Sequence, residues 1–149
     1  MSLTHVDVKT AHDLQSDDDH TYVDVRSIPE FERGHPAGAH NVPLLHLDSQ
    51  TGQMQPNPEF LTVMQANYSL ESKLLIGCQT GGRSAQAGQI LVAAGYQHVA
   101  NVLGSFGGSQ DRATGQIIEG WADAGLPVEH ETPPENGYES LRRKASGTP

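Results

Sequence analysis

Apolar positions along this chain switch between two spacings. Residues 21–25, 73–77 and 98–102 are short runs of β-branched, aliphatic and aromatic side chains with few polar interruptions, the pattern of strands buried on both faces. Weaker strand signals stand at Val6-Asp7 and at residues 40–42. Between them the period lengthens. Residues 9–15 and Pro29-Glu30-Phe31-Glu32-Arg33 read as helical turns, the second stopped by Gly34. Asn57-Pro58-Glu59 is a helix start, a capping residue followed by proline, and Phe60, Leu61, Met64 and Tyr68 then recur at helical spacing as core positions. Ala87, Ile90, Leu91 and Ala94 form the buried stripe of a helix over residues 84–94 that ends at Gly95. Residues 117–124 read as a last short helix closed by Gly125. Strands alternating with helices predict an α/β fold with a largely parallel sheet, whose ligands bind at the carboxyl ends of strands.

The remaining segments are polar. Ser16-Asp17-Asp18-Asp19 is a solvated acidic turn. Residues 1–131 read as one domain, and residues 132–149 as a C-terminal tail, flexible or weakly docked, with Pro133-Pro134 at its start and helical leanings from Tyr138 to Ala145. Docking of Tyr138 and Leu141 on the body is the alternative.

Length and charge narrow the function. A chain of 149 residues fits one domain that buries enough surface to need no disulfide. One cysteine permits no internal bridge, which fits a reducing compartment. The first residues lack the basic stretch and apolar core of a signal peptide, and no run approaches the ~20 apolar residues of a membrane span, so a soluble, cytoplasmic protein is expected. A formal net charge of −9, with Arg142, Arg143 and Lys144 gathered in the tail, disfavours nucleic acid as a partner.

The chemistry concentrates in Cys78-Gln79-Thr80-Gly81-Gly82-Arg83-Ser84. The one thiol stands where a buried strand ends and a helix begins. A thiolate is the reactive species; an ordinary cysteine has a pKa of ~8.5, and a helix N-terminus or nearby cation lowers it. The helix start supplies unpaired amides and the positive end of its dipole. Gly81 and Gly82 accept positive φ, so successive N–H groups can converge into an anion nest. Arg83 adds a forked, permanently charged donor for an oxyanion.

Cys-x-x-Gly-x-Arg-Ser resembles the active-site loop of single-domain rhodaneses, the rhodanese-like sulfurtransferases. Three further segments are similar in order: Val23-Asp24-Val25-Arg26 with Glu30-Phe31 and the run from Gly34 to Pro43; Gly88 to Gly95-Tyr96; and Gly120-Trp121 with Gly125-Leu126-Pro127-Val128. The resemblance spans roughly residues 4–129 and implies a central, largely parallel five-stranded sheet flanked by helices on both faces. It implies a thiosulfate sulfurtransferase: Cys78 takes a sulfane sulfur from thiosulfate or a similar small anionic donor, becomes a persulfide, and yields the sulfur to cyanide or to an external thiol or protein acceptor. Backbone amides from Gln79 to Ser84 would stabilise the persulfide, while Arg83 and the Gln79 and Thr80 side chains would orient the donor. No cofactor or metal is implied.

Asp24 and Arg26, two apart on a strand, point the same way; the resemblance sets them beside the loop as supports. Eight histidines invite a metal reading, but the spacing of His35, His40 and His46 suits no structural zinc site, and His35 reads as a brace for the Gly34–Gly38 turn. Gly104-Ser105-Phe106-Gly107-Gly108-Ser109 lacks the Gly-Lys-Ser/Thr ending of a nucleotide loop. The interval from Gly108 to Trp121 is longer than in many rhodaneses and reads as an insertion or a remodelled loop, either at the pocket rim or simply on the surface. A persulfide carrier serving a partner protein is the main alternative. An arsenate reductase or phosphatase on the same fold is disfavoured by the four residues between Cys78 and Arg83, since related phosphatases use one more. A non-catalytic module is disfavoured by the intact Cys78 and Arg83, and a thioredoxin-like redox protein by the single cysteine.

Overall fold

A computed structural model describes residues 3–146; the ends of the chain on which the leader and tail expectations partly rest lie outside them. In chain order the elements are β1 (Thr4–Val6), α1 (Val8–Asp17), β2 (Thr21–Asp24), α2 (Ile28–Arg33), β3 (His35–Pro36), β4 (His40–Asn41), β5 (Leu45–Leu47), β6 (Met54–Pro56), α3 (Phe60–Asn67), β7 (Lys73–Gly77), α4 (Gly82–Ala93), β8 (His98–Val102), β9 (Ser109–Gln110), β10 (Ile117–Ile118), β11 (Val128–Glu129), a 3-10 turn (Pro134–Asn136) and α5 (Tyr138–Ser146). Five strands form one parallel sheet in the order β1-β8-β7-β2-β4. No helix among the described residues is long and apolar enough to cross a membrane.

Alternation along the central strands sends successive side chains into two cores. Val23, Leu74 and Ile76 pack with Phe60, Met64, Ala87 and Leu91 from α3 and α4. Tyr22, Leu75 and Ala100 pack on the other side with Val8 and Ala11 of α1, Phe31 of α2, and Trp121. Helices thus cover both faces, which is why β7 is a nearly unbroken apolar run.

Local chemistry sets the boundaries. Asp7, expected in the first strand, caps α1 instead, its Oδ1 accepting from Thr10 N at 2.8 Å. In α2, Ser27 and Glu30 form a capping box, and Gly34 ends the helix at φ 152°. Asn57 lies ahead of the helix it was expected to cap: its Oδ1 accepts from Glu59 N at 3.0 Å within a turn, and α3 begins at Phe60.

One expectation gives way. Residues 117–124 form no helix. Ile117 and Ile118 pair antiparallel with β9, and the chain then turns through Trp121, which Ser105 O holds by its amide at 2.8 Å and Pro127 O by its indole at 2.7 Å. Gly120 crosses directly over the backbone of Gly107 and Gly108, a close approach that leaves no room for a Cβ. In the tail, over the described residues to 146, the docking alternative is what the structure has: Tyr138 and Leu141 of α5 belong to the larger core. Tyr138 Oη accepts from Asn57 Nδ2 at 3.1 Å, and Leu141 O accepts from Asn67 Nδ2 at 2.9 Å.

The strand that delivers the cysteine is tightly fitted. The Tyr22 hydroxyl lies against Gly77 where a side chain would begin, and it is buried without a hydrogen-bond partner. Gly77→Ala is therefore expected to destabilise the fold by about 1–3 kcal/mol. Tyr22→Phe, which removes an unpaired buried hydroxyl, should be near neutral and should recover part of the loss in the double variant. Urea denaturation of the three proteins measures this; an unchanged Gly77→Ala midpoint would remove the close contact from the account.

Candidate active site

Cys78 is the first residue after β7, at the carboxyl edge of the sheet, and is 1% exposed. The helix behind it starts earlier than the sequence pattern indicates. Gly81 is its cap, at φ 114°, and Gly82 opens the helix with ordinary φ, so only the first of the two glycines needs left-handed freedom. Starting at Gly82 puts Ser84 in the first turn, where amides have no helical acceptor.

That freedom is used on the sulfur. Gly81 N donates to Cys78 Sγ at 3.1 Å and Ser84 N at 3.3 Å. These are the loop amides that reach it among the described residues; the nest is smaller than the full span from Gln79 to Ser84. The thiol itself donates to Ser84 Oγ at 3.4 Å, and Ser105 Oγ lies 3.9 Å from Sγ. Burial favours the neutral thiol, but the Ser84 hydroxyl when it turns its proton to the sulfur, the Ser84 and Gly81 amides and the Ser105 hydroxyl outweigh it, and the thiol ionises below its usual range.

The loop is braced from three sides. Ser105 Oγ accepts from Cys78 N at 3.0 Å, while Phe106 N and Gly107 N donate to Cys78 O and Gln79 O at 2.9 and 2.8 Å. Ser105 was not among the sequence candidates. The glycine-rich turn after β8 was visible, but its place under the loop follows from β8 lying next to β7 in the sheet.

Asp24 and Arg26 supply the second brace. They are 1% and 3% exposed, with Arg26 Nη2 on Asp24 Oδ2 at 2.8 Å. Arg26 Nε also donates to the carboxylate at 3.0 Å, Nη2 to Gly34 O at 2.7 Å, and Nη1 to Gln79 Oε1 at 3.2 Å. Its guanidinium lies over Phe106, 4.5 Å from the ring centroid. A cavity of about 290 Å³ beside the loop is lined by Arg26, Glu30, Arg33, Gly34, Gln79 and Phe106. Gln79 is thus held by Arg26, whereas Thr80 is exposed.

Arg83 is the third. Its Nη1 and Nη2 donate to Glu30 Oε1 and Oε2 at 2.7 and 2.9 Å, so both prongs of its fork are occupied by α2. The expectation that this fork is open for an oxyanion is not met in this arrangement. Burial raises the Glu30 carboxyl, but hydrogen bonds from Arg83 and Ser27 and the guanidinium charge prevail and hold it at about 2. Because the folded value lies below the ordinary 4.5, the stabilisation is complete above the ordinary value and is lost as pH falls towards 2. If Arg83 works through Glu30, then Arg83→Ala and Glu30→Ala should raise the KM for an anionic donor by similar factors, and the double variant should be no worse than either. Steady-state kinetics decide this; a Glu30→Ala protein with unchanged or tighter donor binding would make Arg83 a direct ligand.

His35 is buried, its ring nitrogens bonded to Phe31 O at 2.7 Å and Glu129 Oε1 at 3.0 Å, and Glu129 also accepts from Gly38 N. It ties the turn between β3 and β4 to β11. Among the described residues no three His, Cys, Asp or Glu side chains are grouped to hold a metal ion.

The family model for the rhodanese-like domain matches residues 7–111, more than half of the chain and including the whole loop. This chain belongs to the rhodanese-like family. It is 35% identical over 123 residues to thiosulfate sulfurtransferase 16, chloroplastic, of Arabidopsis thaliana, covering 83% of this chain and 90% of that protein. With thiosulfate sulfurtransferase 18 of the same plant it shares 36% identity over 138 residues, 90% of each chain. The crystal structure of Rv0390 from M. tuberculosis has the same fold, with a TM-score of 0.68 and 24% identity over 87% of this chain and 99% of that one. The five-stranded parallel sheet with helices on both faces is thus a rhodanese-like fold, in agreement with the sequence. Its cysteine loop, the glycine-rich turn after β8 and the Asp24–Arg26 pair all meet at the carboxyl edge of that sheet.

Proposed function

We propose that this rhodanese-like chain is a sulfurtransferase that uses Cys78 to carry sulfane sulfur from thiosulfate, or a donor of the same type, to cyanide or a thiol. The observation that carries the reading is the sulfur itself: it ends a buried strand with the Gly81 and Ser84 amides on it at 3.1 and 3.3 Å. Those donors suit an anion on sulfur and cost no reorganisation when charge appears there.

The Cys78 thiolate attacks the outer sulfur of thiosulfate. A new S–S bond forms, the donor's S–S bond breaks, and its electron pair leaves with sulfite. Cys78 is left as a persulfide anion under the same amides. A nucleophile then attacks the terminal sulfur, cyanide giving thiocyanate, and the Cys78 thiolate departs. With no second cysteine in the chain, the acceptor must come from outside. Gln79, fixed by Arg26, and the exposed Thr80 flank the donor's path, and Arg83 with Glu30 holds the helix end in place. A buried, unbridged cysteine suits a reducing compartment such as the cytoplasm.

The test is the intact mass of the protein after incubation with thiosulfate, without reductant. A gain of one sulfur atom, discharged by cyanide, is the expected result. A protein that charges but discharges only to another protein is a carrier. Release of phosphate from an aryl phosphate, or reduction of arsenate, with no sulfur gained, would overturn the proposal in favour of the phosphatase or arsenate-reductase reading.

A further inference from the structure

Behind the sulfur runs a chain of side chains that the reaction above does not use. Ser84 Oγ, 3.4 Å from Cys78 Sγ, donates its one proton to Asn101 Oδ1 at 2.6 Å. Asn101, on β8 and 2% exposed, bonds through Nδ2 to Nδ1 of His5 at 3.2 Å. His5 is exposed on β1, opposite Asn101 in the parallel register. The competition for the Ser84 proton is explicit. Asn101 Oδ1 is its nearest acceptor, Gly81 O follows at 3.1 Å, and the sulfur is farther. With its proton on Asn101, Ser84 presents lone pairs to Cys78, and the thiol donates to it. A thiolate needs the opposite arrangement. The Ser84 hydroxyl must leave Asn101 and turn to the sulfur.

We propose that Asn101, held by His5, is a positioning residue that governs where the Ser84 hydroxyl points and hence how readily Cys78 bears negative charge. His5 fixes the amide. As an acceptor at Nδ1 it takes the Nδ2 end, which leaves Oδ1 facing Ser84. The proposal rests on Cys78 being the nucleophile. It adds that the partition between thiol and thiolate is set from the next strand of the sheet. This matters for both halves of the reaction. A lower thiol pKa weakens sulfur as a nucleophile but makes it a better leaving group.

The measurement is the rate of Cys78 alkylation by iodoacetamide against pH, which counts thiolate and requires no sulfur transfer. Asn101→Leu removes the competing acceptor, so Ser84 is free to donate to the thiolate. The midpoint should fall, with alkylation at pH values below it up to about tenfold faster. Asn101→Asp puts a charged acceptor in the same place, which holds the Ser84 proton harder and repels the thiolate. The midpoint should rise. His5→Ala, an exposed change that leaves the core intact, loosens the amide and should move the midpoint in the direction of Asn101→Leu, by less. Other charges do not supply this pattern. Arg83, the one charged residue of α4, is committed to Glu30, and His98 of β8 alternates to the other face from Asn101, while Asp7 caps α1. A merely structural Asn101 would shift both variants alike. Shifts of the same sign in the two Asn101 variants, or no shift in either, would overturn the proposal. Loss of sulfur loading with the alkylation profiles as stated would instead sink the sulfurtransferase reading and leave this one standing.

Discussion

Cys78→Ser is expected to gain no sulfur from thiosulfate and to transfer sulfur at least on the order of a thousandfold more slowly than the wild type. The oxygen would sit in the same ring of donors, with the Gly81 and Ser84 amides, the Ser84 hydroxyl and Ser105 around it. Those groups favour ionisation of a thiol, but a serine hydroxyl is weak as a nucleophile without a general base beside it. No histidine, carboxylate or lysine is bonded to Cys78 among the described residues. The fold should be untouched, because the substitution nearly conserves volume and its new hydroxyl keeps Ser84 as a partner. Urea stability within about 1 kcal/mol of the wild type, together with lost sulfur uptake, is the expected pair of results. A serine variant that still takes up sulfur would place the acceptor elsewhere on the molecule.

What the sequence disclosed follows from how local each feature is. The Cys78 loop is legible because its parts are consecutive: a strand end, a glycine for the left-handed cap and the first turn of α4. Asp24 and Arg26 are legible because alternation along one strand puts them on one side. The parallel sheet is legible because β2, β7 and β8 are each buried on both faces and so appear as apolar runs. Ser105 and Asn101 belong to a different class. Each is a small polar residue whose value depends on β8 lying beside β7, and nothing in their own neighbourhood distinguishes them from a turn serine and a strand asparagine. Glu30 was visible as part of a motif, yet its pairing with Arg83 spans 53 positions in sequence and depends on how α2 and α4 meet.

The same reasoning explains why residues 117–124 depart from their pattern and why docking of the tail stays an open alternative in the sequence. Residues 117–124 carry apolar side chains at helical intervals, but Gly120 must pass over the backbone of Gly107 and Gly108, and that tertiary crossing overrides the pattern. Tyr138, Leu141 and Ala145 were also at helical spacing. Three apolar positions are too few to show that a surface awaits them; that surface is built from Asn57, Asn67 and the core around α3.

Asp24→Ala is the other substitution with a large expected effect, and it separates folding from positioning. Removing one member of a buried ion pair leaves the other charged and unsatisfied, at a cost of about 3–5 kcal/mol. Here the carboxylate also accepts from the Arg26 amide at 3.0 Å, so the strand end loses a backbone partner as well. A drop of that size in urea denaturation is expected, with sulfur transfer falling in the fraction that remains folded, because Arg26 would no longer be aimed at Gln79 and Gly34. The double variant Asp24→Leu/Arg26→Met removes both charges and fills the space with apolar groups. Such replacements are often near neutral for stability, so much of the loss should return. Transfer activity should not return with it, since the link from Arg26 Nη1 to Gln79 Oε1 is gone and Phe106 has lost the cation stacked on it. Recovery of stability and activity together would mean that the pair holds the sheet edge and nothing more. Recovery of stability alone would make Arg26 the residue that seats the loop over the sulfur, with Asp24 acting through it.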